Sequence, residues 1–131
     1  MDQICRKPRL LAIDDHHDSA ELIARIAEKL GYEARATSSP EVLRDLFAEW
    51  RPDILTVDLC MPEEDGLGVF VLLEQMGFGG GIVIVSGQDE WLRKSASRLA
   101  SARGLNVVGN LSKPVNVKGL RAVLTEVQAG I

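Results

Sequence analysis

Ile54-Leu55-Thr56-Val57-Asp58 is a short run rich in branched apolar residues that closes on a carboxylate. Its form recurs along the chain. Leu10-Leu11-Ala12-Ile13 runs into Asp14-Asp15, Ile82-Val83-Ile84-Val85 into Ser86, and Val107-Val108-Gly109-Asn110-Leu111 leads to Lys113. Runs of this kind read as buried parallel strands. In an open α/β sheet, ligands bind in the crevice beyond the carboxyl ends of the strands, so the four runs deliver their polar endings to one place. Two like charges about 4 Å apart cost about 1 kcal/mol in water and about 4 kcal/mol at an effective dielectric of 20. Three carboxylates gathered there invite a cation.

The segments between the runs carry apolar residues at i, i+3, i+4 and i+7, which predicts helices with one buried face. These are Ile23, Ile26, Ala27 and Leu30; then Leu43, Leu46, Phe47 and Trp50; then Val69, Leu72, Leu73 and Met76. Leu92, Ala96 and Leu99 mark a fourth helix, and Leu120, Val123, Leu124 and Val127 a fifth. Gly31, Arg51-Pro52-Asp53 and Gly77 end the first three, and Ser39-Pro40-Glu41 opens the second. Asp18 or Ser19 is expected to cap the first helix. Glu33 to Ala36 supplies the remaining strand. Five alternations of strand and helix predict an α/β fold: a doubly wound, five-stranded parallel sheet with five helices on both faces and right-handed crossovers. In the flavodoxin-like order 2-1-3-4-5, taken from the fold class, the switch point lies between strands 1 and 3. Those strands end at Asp14-Asp15 and Asp58.

With 131 residues the chain has the size of one domain, and no repeat or linker divides it. A formal net charge of -4 speaks against a general nucleic-acid binder or an anionic membrane as partner. Cys5 and Cys60 lack metal-ligand spacing and are expected as reduced thiols. No run reaches the roughly 18 apolar residues of a membrane span, and Met1 to Lys7 lacks the apolar centre of a signal peptide. A cytoplasmic location is expected.

On Asp14-Asp15 after the first strand, Asp58 in Asp58-Leu59-Cys60-Met61-Pro62-Glu63-Glu64-Asp65-Gly66, Ser86 after the fourth strand and Lys113-Pro114 after the fifth, the chain resembles the receiver domain of two-component response regulators. The resemblance runs from about Arg9 to Val127 and implies a single CheY-like receiver over 1–131. It implies that Asp58 is phosphorylated by a sensor histidine kinase or a histidine phosphotransfer protein, within a phosphorelay. Asp15, Asp58 and the Cys60 backbone carbonyl would ligate Mg2+ (or Mn2+) directly, and Asp14 mainly through water. Lys113 and the Ser86 hydroxyl would meet phosphoryl oxygens, and the Lys113-Pro114 bond would be cis. Cys60 and Gln88, each two residues beyond a key position, would border the phosphoryl group and tune its lifetime. The partners implied are the kinase and a downstream target or an output domain, with a homodimer through the face of helix 4, strand 5 and helix 5.

Two departures stand out. Receivers commonly carry a switch aromatic three residues before the lysine, whereas here that switch position is Asn110. The stretch from Ser86 to Lys113 is longer than usual, with Gly104-Leu105 and Val108-Gly109, and is similar to receivers attached to cyclic-di-GMP phosphodiesterase domains. A fragment of such a regulator is thus one alternative. A magnesium-dependent phosphatase with an aspartyl nucleophile is another, but that class places its nucleophile in an Asp-x-Asp pair after the first strand, which Asp14-Asp15-His16 breaks. A flavodoxin-like cofactor carrier is opposed by the two carboxylates, which repel phosphate. The protein is expected not to be a conventional enzyme. His16 and His17 read as solvated residues, Trp50 and Trp91 as core or helix-edge residues, and Gly66 as a loop residue with positive φ. The cluster Gly77 to Gly81 lacks the Lys-Ser or Lys-Thr of a phosphate loop.

Overall fold

The computed structural model describes residues 7–58, 66–87 and 90–130. Along them run β1 (Arg9–Ile13), α1 (His17–Lys29), β2 (Glu33–Thr37), a 3-10 turn (Pro40–Val42), α2 (Leu43–Glu49), β3 (Ile54–Asp58), α3 (Gly66–Met76), β4 (Gly81–Ser86), α4 (Glu90–Ala102), β5 (Asn106–Ser112) and α5 (Val117–Gly130). The strands form one parallel sheet in the order β2-β1-β3-β4-β5. This is the flavodoxin-like order.

Alternation along each strand divides the core in two. Leu11, Ile13, Leu55, Val57, Ile82 and Ile84 face α2, α3 and α4, packing against Leu43, Phe70, Leu73, Ala96 and Ala100. Leu10, Ala12, Ile54, Val83 and Val85 face α1 and α5, packing against Ala20, Ile23, Ala27, Leu120 and Leu124. Fully burying one large apolar side chain contributes about 1.5–3 kcal/mol. The sheet is thereby held rigidly enough to fix what its strand ends carry.

The pattern misjudged several local features. β5 is not a buried strand: it lies at the sheet edge, and Val107 to Leu111 are only half-buried. Its register skips Val108, since Ile82 pairs with Val107 and Val83 with Gly109. The bulge turns Gly109 toward α5, where an added Cβ would lie 3.0 Å from a Val123 methyl. Among the described side chains of α4 the buried pair is Ala96 and Ala100, while Leu99 is 37% exposed. Asp18 and Ser19 lie inside α1, whose N-cap is His16. Gly66 is the first residue of α3 rather than a loop residue. Gly31 and Gly77 adopt positive φ past the ends of α1 and α3, but past α2 that conformation falls to Arg51, with φ 55°. Arg51 N–H donates to Leu46 O, closing the helix end.

Candidate functional site

Asp14 follows β1 directly, and its N–H continues the ladder by donating to Thr37 O. Its Oδ1 accepts the His16 N–H at 2.9 Å, so the residue that supports the start of α1 is also the first acid of the site. Asp58 is the last residue of β3 and 2% exposed. Asp14 and Asp58 are brought side by side because β1 and β3 are neighbours in register, with Ile13 opposite Val57. Asp15 joins them half-buried. Carboxylate oxygens of Asp14, Asp15 and Asp58 all lie within 4.8 Å of one another.

Lys113 enters from beyond β5. Its Nζ lies 2.8 Å from Asp14 Oδ2 and 3.1 Å from Asp58 Oδ2. Its backbone N–H donates to Ser86 O at 2.9 Å, fixing the chain as it leaves the strand. The Lys113-Pro114 bond is cis. Burial disfavours a charged Lys113, but bonds to Asp14 and Asp58 and their negative charges outweigh it, so its pKa is raised. Burial raises the Asp14 pKa too, and the Asp58 charge adds to this, against the opposing pull of Lys113 and of the His16 N–H. One ammonium thus faces three carboxylates. The site is short of positive charge, and Asp15 Oδ1 is buried without a hydrogen bond among the described residues. A hard divalent cation with oxygen ligands fits that donor set.

Ser86 ends β4, fully buried, beside the cluster, where β3 and β4 pair Asp58 with Val85. Asn110 lies on β5 opposite Ile84, facing α4, and its Nδ2 donates to Arg93 O at 3.0 Å. It is therefore a tie between the edge strand and the first turns of α4. Cys60 and Gln88 lie outside the described residues. His16 and His17 are exposed, and His17 pairs with Glu21 at 3.4 Å rather than joining the acids. Thr56 was overlooked: it stands two residues before Asp58 on the same side of β3, buried, with a hydroxyl that has no hydrogen bond among the described residues. Its one signal in the sequence is a polar residue inside an apolar run.

The family model described as the response regulator receiver domain matches residues 10–125. The chain belongs to this family. A response regulator from Colwellia psychrerythraea superposes with a TM-score of 0.83 at 28% identity, covering 96% of this chain and 100% of that one. The Vibrio cholerae chemotaxis protein CheY4 gives 0.79 at 19% identity, covering 93% and 99%. Response regulator MprA of Mycolicibacterium vanbaalenii is 30% identical over 72% of this chain and 41% of its own length. The transcriptional regulator NtrC of Azospirillum brasilense is 25% identical over 88% of this chain. This receiver spans 41% of the first and 23% of the second. Receivers of this family are phosphorylation-controlled signalling switches rather than conventional enzymes. Among the described residues no helix is long and apolar enough to cross a membrane.

Proposed function

We propose that Asp58 is the phosphoacceptor and that a phosphohistidine on a sensor histidine kinase or histidine phosphotransfer protein is the donor. The observation that carries this reading is the meeting of Asp14, Asp15 and Asp58 with Lys113 at the strand ends. An Asp58 oxygen attacks phosphorus, the P–N bond to the donor imidazole breaks, and the imidazole nitrogen recovers its lone pair. Lys113 already touches Asp14 and Asp58 and offers its remaining N–H to an equatorial phosphoryl oxygen. Ser86, at the neighbouring strand end, supplies a hydroxyl for another. Bound by Asp14, Asp15 and Asp58, Mg2+ (or Mn2+) would supply the charge neutralisation that phosphoryl transfer between anions requires. The Cys60 carbonyl as a ligand, and Cys60 and Gln88 as lifetime-tuning side chains, rest on the resemblance.

Phosphorylation adds about -1.5 to -2 charge and strong acceptors. Drawing Ser86 toward them disturbs the β4 end that Lys113 N–H is bonded to, and Asn110 carries the disturbance to α4 through its bond to Arg93 O. We read 1–131 as one receiver, with its core at about 9–127, working with a downstream target or an output domain.

The test is intact mass after incubation with a small-molecule phosphodonor, with and without magnesium. One added phosphoryl group is expected, dependent on the metal and absent in Asp58→Asn. A modification that persists in Asp58→Asn would remove the basis of the reading.

A further inference from the structure

Thr56 is the one polar residue of Ile54-Leu55-Thr56-Val57, and it is 1% exposed. Ile54, on the same side of β3, belongs to the apolar layer under α1 and α5, and Thr56 is paired across the sheet with Ala12 and Val83 of that layer. Its hydroxyl has no hydrogen bond among the described residues. A buried hydroxyl without a partner carries its whole desolvation penalty, which valine, of nearly the same shape, would avoid. A second buried atom nearby is in the same condition. Asp14 is 1% exposed, and its Oδ2 has the Lys113 ammonium at 2.8 Å but no aligned hydrogen bond among the described residues. Asp14 stands two residues beyond Ala12, so it is the diagonal neighbour of Thr56, about 6.6 Å along the strand and about 4.8 Å across it, which parts the two Cα atoms by about 8 Å. That separation is too wide for a direct bond between two short side chains and suits one bridging molecule. Ala12, beside Thr56, and Ala20, in the first turn of α1, line this end of the layer with small side chains.

We infer that Thr56 Oγ1 and Asp14 Oδ2 share a buried water, which makes Thr56 a positioning residue for the cation site. The water accepts from the Thr56 hydroxyl and donates to Asp14 Oδ2. The His16 N–H already fixes the other oxygen, Oδ1, at 2.9 Å. With both oxygens tied, Asp14 holds its place when Lys113 turns toward an incoming phosphoryl oxygen. Ties of this kind behind an acid of a metal site tune metal affinity. The inference rests on the cation reading given above and not on which atom takes up phosphorus. Its rival is a polar residue that the core merely tolerates, for which Thr56→Val would raise stability and leave metal binding unchanged.

The experiment has two arms. A high-resolution crystal structure of the full, metal-free chain should show an ordered water at hydrogen-bond distance from both Thr56 Oγ1 and Asp14 Oδ2, and Thr56→Val should lack it. Calorimetric titration with magnesium alone, without a phosphodonor, should give Thr56→Val a dissociation constant about tenfold or more above wild type, although the metal-free variant melts within about 3 °C of it. Thr56→Ser should show the reverse pattern: a lower melting temperature for its lost methyl, and a magnesium affinity within about twofold of wild type. The inference is overturned if no water joins the two atoms, or if wild type and Thr56→Val bind magnesium equally. A wild type that takes up no magnesium sinks the cation reading and the role of Thr56 with it, whereas equal affinities in the two proteins sink the role alone.

Discussion

Lys113 Nζ lies 2.8 Å from Asp14 Oδ2, although β5 and β1 are separated in the sheet by β3 and β4. Three strand spacings of about 4.8 Å each part β5 from β1, and the Lys113 and Asp14 side chains close that distance together, with Asp58 touched as well. One lysine therefore ties both halves of the sheet together at the ends where ligands bind.

Removing that cation leaves buried carboxylates without a counter-charge. Lys113→Met should lower stability in chelator-containing buffer by about 2–3 kcal/mol, below the full cost of breaking a buried pair because the side chain is 20% exposed. Urea unfolding measures it. Since the folded pKa of Lys113 is raised, its contribution is complete below its ordinary value of 10.5 and is lost as pH climbs through the folded value. Wild type and variant should thus converge in strong alkali.

Asp14 is expected to behave in the opposite sense. Its pKa is raised, burial being the main cause, so the ionised form is the disfavoured one in the fold and a neutral isostere relieves the site at pH 7. Asp14→Asn should melt about 2–5 °C higher than wild type without metal. The wild type should gain stability with millimolar magnesium, and the variant should gain less. A wild-type melting temperature indifferent to magnesium would count against the cation site.

Tyr32 is the chain's single tyrosine, and its hydroxyl donates to Leu124 O at 2.6 Å across the α1 and α5 side of the core. Burial and, secondarily, the Asp53 charge push its pKa up to about 12 from 10.0. Tyrosinate absorbance should therefore titrate near 12 in the folded protein. Between pH 10 and 12 the unfolded chain has lost a proton that the folded chain keeps, so stability falls across that window. Tyr32→Phe should abolish the absorbance change and flatten that fall.

The architecture and the acid cluster were legible because both depend on patterns that survive in one dimension. Branched runs ending in polar residues fixed the strands, and Asp14, Asp15, Asp58 and Lys113 each follow such a run. What escaped depends on approach distances. Nothing in Asn110 announces a bond to Arg93 O, and nothing in Val107-Val108-Gly109 announces which residue the register will skip. The cap of α1 was misplaced because Asp14, already claimed for the site, also supports the helix start. Arg51 in the left-handed region has no composition signal at all.

Trp50, 4% exposed, marks a second polar assembly at the other end of β1. Its Nε1 donates to Glu33 Oε1 at 2.7 Å, its carbonyl accepts from Arg9 Nη1, and the Arg9 and Arg35 guanidiniums lie 5.7 and 4.7 Å from its ring. Trp50→Phe keeps the apolar bulk but loses the donor and weakens the cation contacts. A cost of about 1–2 kcal/mol is expected in urea unfolding, with phosphoryl uptake unchanged because the site lies at the opposite strand ends.

Gly79 and Gly80 offer a matched pair inside the Gly77 to Gly81 cluster, where the sequence excluded a phosphate loop without saying why glycine is needed. A Cβ on Gly80 would collide with the Asp53 backbone oxygen and with the Phe78 ring, whereas one on Gly79 meets nothing within 4 Å. Phe78 could rotate aside, but Asp53 O is held as the acceptor of Gly81 N–H at 3.1 Å, where β3 and β4 begin to pair. Relief at Gly80 must therefore come from the backbone that sets the β3 and β4 register, and so from the strand ends that carry Asp58 and Ser86. Gly80→Ala should cost about 1–3 kcal/mol by the overpacking rule, and Gly79→Ala should be neutral or slightly stabilising. Equal melting temperatures for the two variants would show that the close approach at Gly80 is not what demands glycine there.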